Sequence, residues 1–364
     1  MRVKDIIVFF EKIAPVSLKE SYDNVGLLVG SNEKEISKAL ICIDVTQAIL
    51  DEAVSKGCDL IISHHPLIFS PIKNVTGQTP TGQIIISAIK NDIAVYAIHT
   101  NIDNSILGFN SLAAEKMGLT DVTILSPKTG LLRKLVTFCP DEHAPAVRDA
   151  LFAAGCGHIG NYDSCSYNLN GQGSFRGLEN AHPFVGTPGI IHFENEVRIE
   201  TIFPSSMQSS VLKALFAAHP YEEVAYDIYP LDNDYKGAGS GVIGTLKPGV
   251  AASDLMVMLK DIFKIPCIRH SDPIEKEIRK VAFCGGAGSF LAREAKAKGA
   301  DILITGDLKY HDFANADSEF MLADIGHFES EFCFREHIQS LMNKKFATFA
   351  VLLSEAEENP INYL

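Results

Sequence analysis

The eight cysteines of this 364-residue chain include no C-x-x-C pair. That spacing argues against a cysteine-based structural zinc site and against a disulfide framework. Long apolar runs are missing too. The run near the start, IIVFF, ends at Glu11, too short for a signal peptide, and no stretch reaches the ~18 residues a membrane helix needs. Positive charge is scarce: 32 Lys and Arg stand against 45 Asp and Glu, for a formal net charge of −13. Such an acidic balance disfavours a general nucleic-acid or membrane-surface binder, although it leaves room for a local basic patch. No G-x-x-x-x-G-K-[ST] loop occurs, so an ATPase reading lacks its main part. The literal G-x-G-x-x-G match at Gly239–Gly244 follows a charged segment and runs into Lys247-Pro248-Gly249, where a dinucleotide fingerprint needs a helix. What remains is the expectation of a soluble, cytoplasmic protein with reduced thiols.

What is present fits a folded chain of two to three domains. With 46% hydrophobic and 21% charged residues, it can bury sizeable cores. The first part alternates helical and strand patterns. Helices are expected over about 2–13, 47–56, 83–90 and 109–117, and strands over 22–30, 38–44, 58–65 and 93–100. After residue 245 the style returns, with strands at 281–286, 300–306, 319–326 and 345–353. Helices fall between them, the last over about 328–342. Short apolar runs bounded by glycine and alternating with helices indicate mainly parallel, buried sheets. The two ends therefore read as halves of one α/β core, 1–129 with 233–364.

The middle carries an internal repeat. LVTFCP (135–140) recurs as IETIFP (199–204), ALFAAG (150–155) as ALFAAH (214–219), and Tyr162-Asp163 as Tyr226-Asp227, all offset by 64 residues. Two tandem β-α-β units predict an inserted ferredoxin-like α+β domain over 130–232, with DNDYKGAGSG (232–241) as the return linker.

Side chains suited to chemistry gather at the expected strand ends, where open α/β sheets bind ligands. His64 and His65 close one strand; His99 and Asp103 follow the next. His327 and Glu331 stand at i, i+4, one face of a helix. Imidazole and carboxylate together suit a divalent transition metal. Each piece has a plainer reading, as a hydrogen-bonding histidine or a solvated ion pair, and spacing does not choose between them. Asp307, Lys309 and His311 follow another strand end and could handle protons or bind substrate, as could Asp44. His99 could shuttle protons or support a ligand. The glycines of GGAGS (285–289) could cradle an anion or simply make a tight turn.

Six blocks in order, SYDNVGLLVG, ICIDVT, ISHHPLIF, IHTNID, TGDLKYHD and DIGHFESE, resemble the dinuclear-metal hexameric family. Its members are the GTP cyclohydrolase I type 2 homologs, or Ngg-one-interacting-factor-three-like proteins. The resemblance runs from about 3 to 355 and includes the insert of the longer bacterial members. It implies metal ligands at His64, His65, Asp103, His327 and Glu331, holding two divalent ions; mixed imidazole and carboxylate ligands suit Zn, Mn, Fe, Co or Ni without choosing among them. It also implies a toroidal homohexamer, a trimer of dimers. The insert resembles the P-two-signalling and copper-tolerance architecture. Two functions follow as expectations. One is a metal-dependent hydrolase for a small nucleotide-like or cyclic-amide substrate. The alternative is a regulatory or scaffold ring that binds DNA or a protein partner. The acidic balance favours the first.

Overall fold

Short runs of aliphatic residues, buried on both faces, make the strands of the larger unit, as parallel sheets covered by helices require. The computed structural model describes residues 1–316 and 318–364. One sheet has the order Gly26–Val29, Ala94–Ala97, Leu60–Ser63, Lys38–Cys42, Ala350–Leu353. Its pairs are parallel except the first, which is antiparallel. Cys42 faces Ser63, and Ser63 faces Ala97. The carboxyl ends of three strands are therefore level, and the residues that follow them meet at one rim. The second sheet has the order Arg269–His270, Met321–Asp324, Ile302–Gly306, Ile278–Ala287, Tyr235–Val250, Thr120–Lys128. Its three consecutive strands Ile278–Ala287, Ile302–Gly306 and Met321–Asp324 are parallel.

One hydrophobic cluster draws on both sheets and includes Phe10, Tyr96, Phe109, Phe283 and Phe334. Helix Val3–Ile13 shows how the pattern builds it. Val3, Ile6 and Phe10 are its buried residues, spaced to share one face. Full burial of a side chain like Phe10 contributes about 1.5–3 kcal/mol. The last strand, Ala350–Leu353, pairs with Lys38–Cys42, so the end of the chain completes the sheet begun near its start.

Three expectations change. The 232–241 segment is strand from Tyr235 onward, not a linker. Its backbone is engaged: Ile106 N donates to Gly237 O, and Gly239 N to Asn104 O. The glycines serve close approach, since a Cβ at Gly239 would lie 2.0 Å from Ser126 O. Helix Ala252–Phe263 was not expected. The final helix is two pieces, His327–Glu331 and Cys333–Lys345.

The chain divides into this unit, Met1–Pro127 with Gly237–Leu364, and a second, Lys128–Lys236. The second unit has a sheet of order Tyr167–Phe175, His192–Pro204, Leu132–Pro140, Tyr226–Leu231, antiparallel throughout. Helices Ala144–Ala153 and Gln208–Ala218 share one apolar cluster with Leu135 and Ile199. The two strand–helix blocks of the repeat correspond, and their strands pair with each other. The third block diverges. Tyr226-Asp227 opens a strand, whereas Tyr162 sits in a turn bridged to Ile159. Gly155, Gly157 and Gly160 all have positive φ there, so the chain turns before its strand starts at Tyr167. Among the described residues, no helix is long and apolar enough to cross a membrane.

Candidate metal centre

The strand Leu60–Ser63 ends just before the paired histidines, yet their amides keep the ladder: His64 N donates to Cys42 O and His65 N to Ile43 O. Ser63 Oγ donates to the His65 carbonyl at 2.8 Å, and Pro66 ends the run. The chain leaves the sheet here. Both rings turn the same way, with centroids 5.1 Å apart. His64 is fully buried against Phe334 and Phe109. Its Nδ1 donates to Ile98 O at 3.0 Å, which leaves Nε2 facing the rim. His65 Nδ1 donates to Asp44 Oδ1 at 2.9 Å, with the same result.

The second sheet brings its residues by a different route. Gly326, at φ +89°, turns the chain from strand Met321–Asp324 into the short helix, and its amide donates to Asp324 Oδ1. The i, i+4 spacing then sets His327 Nε2 3.3 Å from Glu331 Oε1. His327 Nδ1 is held by Asp307 Oδ2 at 2.7 Å. Asp307 itself has φ +55°, a left-handed conformation that Asp tolerates better than most residues.

The glycine-rich loop explains how Glu331 enters. Gly286 has φ +65°, and a Cβ there would lie 2.4 Å from Glu331 Oε1. Gly285 N donates to Asn110 Oδ1, Gly286 N to Ser330 Oγ and Gly288 N to Thr305 Oγ1. Those three amides are already used within the fold, and the loop serves to pack Glu331 into the site. Asn110 also donates to Asp103 O at 3.0 Å, tying the two sides of the site.

Glu331 joins the two groups. Oε1 lies 3.5 Å from His64 Nε2, and Oε2 lies 3.2 Å from His65 Nε2. Asp103 Oδ1 lies 3.6 Å from His64 Nε2. His64 Nε2, Asp103 Oδ1 and Glu331 Oε2 are buried with no hydrogen-bond partner, a costly arrangement for polar atoms. His65, His327 and Glu331 offer donor atoms within 4.8 Å of one another, as do His64, His65 and His99. Each ring is pinned through one nitrogen and presents the other, the usual arrangement of metal-binding imidazoles. The donor set therefore fits a divalent cation.

The electrostatics agree. Burial opposes its charge, yet the facing imidazoles hold Glu331 well below the usual carboxylate range. Burial, then the Glu331 charge, pushes Asp103 well up. Burial drives His64 down to about 4, the neutral form a ligand needs. Against burial, the hydrogen bond to Asp44 and the charge of the nearby Glu331 raise His65 to about 10. Hydrogen bonding to Glu331, against burial and with help from Asp307, lifts His327 to about 9. The carboxylates draw positive charge into a buried place.

The remaining sequence candidates separate. His99 joins the group: its Nδ1 donates to Asp23 Oδ1 at 2.9 Å, and Asp23 Oδ2 accepts from Thr100 N at 3.0 Å. Asp44 and Asp307 touch ligand candidates and so position rings. Lys309 and His311 do not line the cavity over the centre. Lys309 precedes a short helix, where its amide donates to Asp312, and the His311 ring lies against Tyr310. Sequence reasoning missed Asp23 and Asn110. Asp23 lies 76 residues from its partner, and no local spacing signals it.

Comparison with known proteins agrees with this architecture. The family described as Duf34/NIF3 (NGG1p interacting factor 3) matches residues 1–360. A GTP cyclohydrolase 1 type 2 homolog of Halalkalibacterium halodurans is 38% identical over 364 residues, covering 99% of this chain and 98% of its own. One of Bacillus subtilis is 38% identical over 369 residues, with the same coverage. Among solved structures, a Bacillus cereus protein related to NIF3 has a TM-score of 0.87 at 38% identity, covering 100% of this chain and 99% of its own.

Proposed function

The chain belongs to the Duf34/NIF3 family, and on that premise we propose that it is a metal-dependent hydrolase with a dinuclear centre. His64, His65, Asp103, His327 and Glu331 would hold the two ions, with Glu331 the residue placed to be shared between them. The observation that carries the reading is the convergence of three buried, unpartnered donor atoms, His64 Nε2, Asp103 Oδ1 and Glu331 Oε2. The two Glu331 oxygens face different histidines, which supports a shared role for this carboxylate. When bound, divalent ions supply Lewis acidity and lower the pKa of a coordinated water toward about 7. The protein's own part is to position. Asp44 and Asp307 fix the orientation of His65 and His327, Asp23 fixes His99, and Phe109 with Phe334 keeps water from His64. His99, fixed but less committed, is the proton-handling candidate.

The substrate is a small nucleotide or cyclic amide, in line with the GTP cyclohydrolase name of the relatives. The subunits form a ring of six, in the cytoplasm. The Lys128–Lys236 unit is ferredoxin-like, a reading supported by its β-α-β-β-α-β order and its antiparallel sheet. The test is turnover of GTP, with formate release, and of a panel of nucleotides and cyclic amides by metal-loaded protein and its His65→Ala variant. Chelation and His65→Ala are both expected to abolish turnover, and light scattering is expected to give a hexamer. Inactivity of the loaded protein toward the whole panel, together with tight binding of single-stranded DNA or a protein, replaces the hydrolase with the scaffold.

A further inference from the structure

A cavity of about 750 Å³ opens over the candidate centre, reaching His65, Asp103, His327 and Glu331. Its volume is that of a small-ligand site. Three aromatic side chains line it while remaining largely in water: Tyr22 is 64% exposed, Phe69 49% and Phe290 67%. They come from separate segments. Tyr22 lies between the first helix and the first strand, and Phe69 in the loop after the paired histidines. The two rings have centroids 6.3 Å apart. Phe290 sits in the turn after strand Ile278–Ala287 of the other sheet. Rings exposed singly are ordinary surface; three lining the cavity that holds a candidate reaction centre are a binding feature.

The polar lining says what the ligand is not. Among the described residues, no Lys or Arg lines this cavity, and the acidic residues Glu20, Asp103 and Glu331 do. Three amides of the glycine loop, those of Gly285, Gly286 and Gly288, are taken by Asn110, Ser330 and Thr305. A phosphate chain would find no Lys or Arg, and the His65 and His327 imidazoles are already paired with Asp44, Asp307 and Glu331. A flat ring would find aromatic faces, and Asn104 and Ser240 offer neutral polar groups for its edge.

We propose that Tyr22, Phe69 and Phe290 form an aromatic clamp for a flat, uncharged heteroaromatic ring, a nucleobase or bicyclic amide without phosphates. The inference rests on the hydrolase reading and narrows its substrate from nucleotides to free heterocycles.

The chain has no tryptophan, so Phe69→Trp and Phe290→Trp each install a single fluorescent reporter in the clamp. Hypoxanthine and inosine triphosphate serve as probes, with metal-loaded and with metal-stripped protein. Hypoxanthine is expected to quench both reporters saturably in both forms. Adding Tyr22→Ala to Phe290→Trp is expected to raise its Kd about tenfold, the usual scale of one base–aromatic stack, with metal content unchanged. Inosine triphosphate is expected to bind the stripped protein at least about tenfold more weakly than hypoxanthine, since the carboxylates of the lining repel it and already pair the imidazoles. The clamp is overturned by absence of saturable quenching or by triphosphate binding as tight as that of the base. It is equally overturned if Tyr22→Ala changes the subunit count and not the Kd, because the rings would then be interface residues. Ring binding without turnover of any cyclic amide sinks the hydrolase and leaves the clamp. Turnover unaffected by Tyr22→Ala and Phe290→Ala does the reverse.

Discussion

The two sheets of the larger unit deliver ligand candidates to one place by different means. The first sheet needs little more than level strand ends. Leu60–Ser63 and Ala94–Ala97 stop together, and His64, His65 and His99 follow them. The second sheet ends in turns that only particular residues can make: Gly326 at φ +89°, Asp307 at φ +55° and Gly286 beneath the Glu331 carboxylate. On both sides the same device finishes the work, a carboxylate or carbonyl that pins each imidazole through Nδ1. The contrast teaches that the first half of the site is set by sheet register and the second by backbone permissiveness. Substitutions should therefore break the halves differently.

The largest effect is expected where the halves join. Glu331→Gln keeps the shape but removes the charge that all three imidazoles face. It should lower metal affinity more than about 100-fold, beyond the loss typical of supporting residues, with an unchanged circular dichroism spectrum. Full occupancy of two ions in that variant, by elemental analysis, would falsify the bridging role. Next comes Gly286→Ala, whose methyl would collide with the carboxylate and would occupy a left-handed backbone. Overpacking of this kind costs about 1–3 kcal/mol, and metal affinity should fall with it. Gly77→Ala, where a Cβ meets nothing within 4 Å, is the control and should change neither.

Smaller losses are expected from the pinning residues. Asp44→Asn and Asp307→Asn should each weaken metal binding about 10–100-fold, measured by competition with a chelating dye. If register alone secures the first half, Asp44→Asn will sit at the low end and Asp307→Asn at the high end. Equal losses would erase the distinction.

The smallest effect concerns the strap that closes the first sheet. Glu52 accepts hydrogen bonds from Glu355 N at 3.0 Å and Ala356 N at 3.1 Å, and pairs with Lys56. Burial opposes its ionisation, but those bonds hold its pKa down to about 2. A depressed carboxylate pKa stabilises the fold above the unfolded value near 4.5. That contribution fades as pH falls from there toward 2. Discounted for solvent screening, it amounts to about 1 kcal/mol. Urea denaturation at pH 7 and pH 3 should show Glu52→Gln less stable than the parent at pH 7, with the gap narrowing at pH 3. A gap independent of pH would contradict the assignment.

Much of this was legible in the chain. Aliphatic runs of four or five residues bounded by glycine located the central strands, because strands buried on both faces leave no room for polar residues. The 64-residue offset marked two strand–helix blocks that the structure pairs with each other. His327 and Glu331 could be matched from helical periodicity alone. The DNDYKGAGSG segment was misread for a physical reason. Glycine serves both flexible linkers and strands that pass close to another backbone, and composition does not tell these apart. Lys309 and His311 were plausible by position after a strand end, but Asp324 holds that turn through Leu308 N and the two side chains lie outside the cavity lining.

Sequence by itself determined which residues could ligate a metal and that they stand near strand ends, because hydrophobic period and residue chemistry are local properties. The tertiary structure alone decided which of them meet. Strand order brought Asp23 to His99 across 76 residues and the final strand back to the first sheet. The glycine loop decided how near Glu331 could come to the histidines. Distances of a few ångströms between segments hundreds of residues apart depend on register and packing, and neither is written in any short stretch of chain.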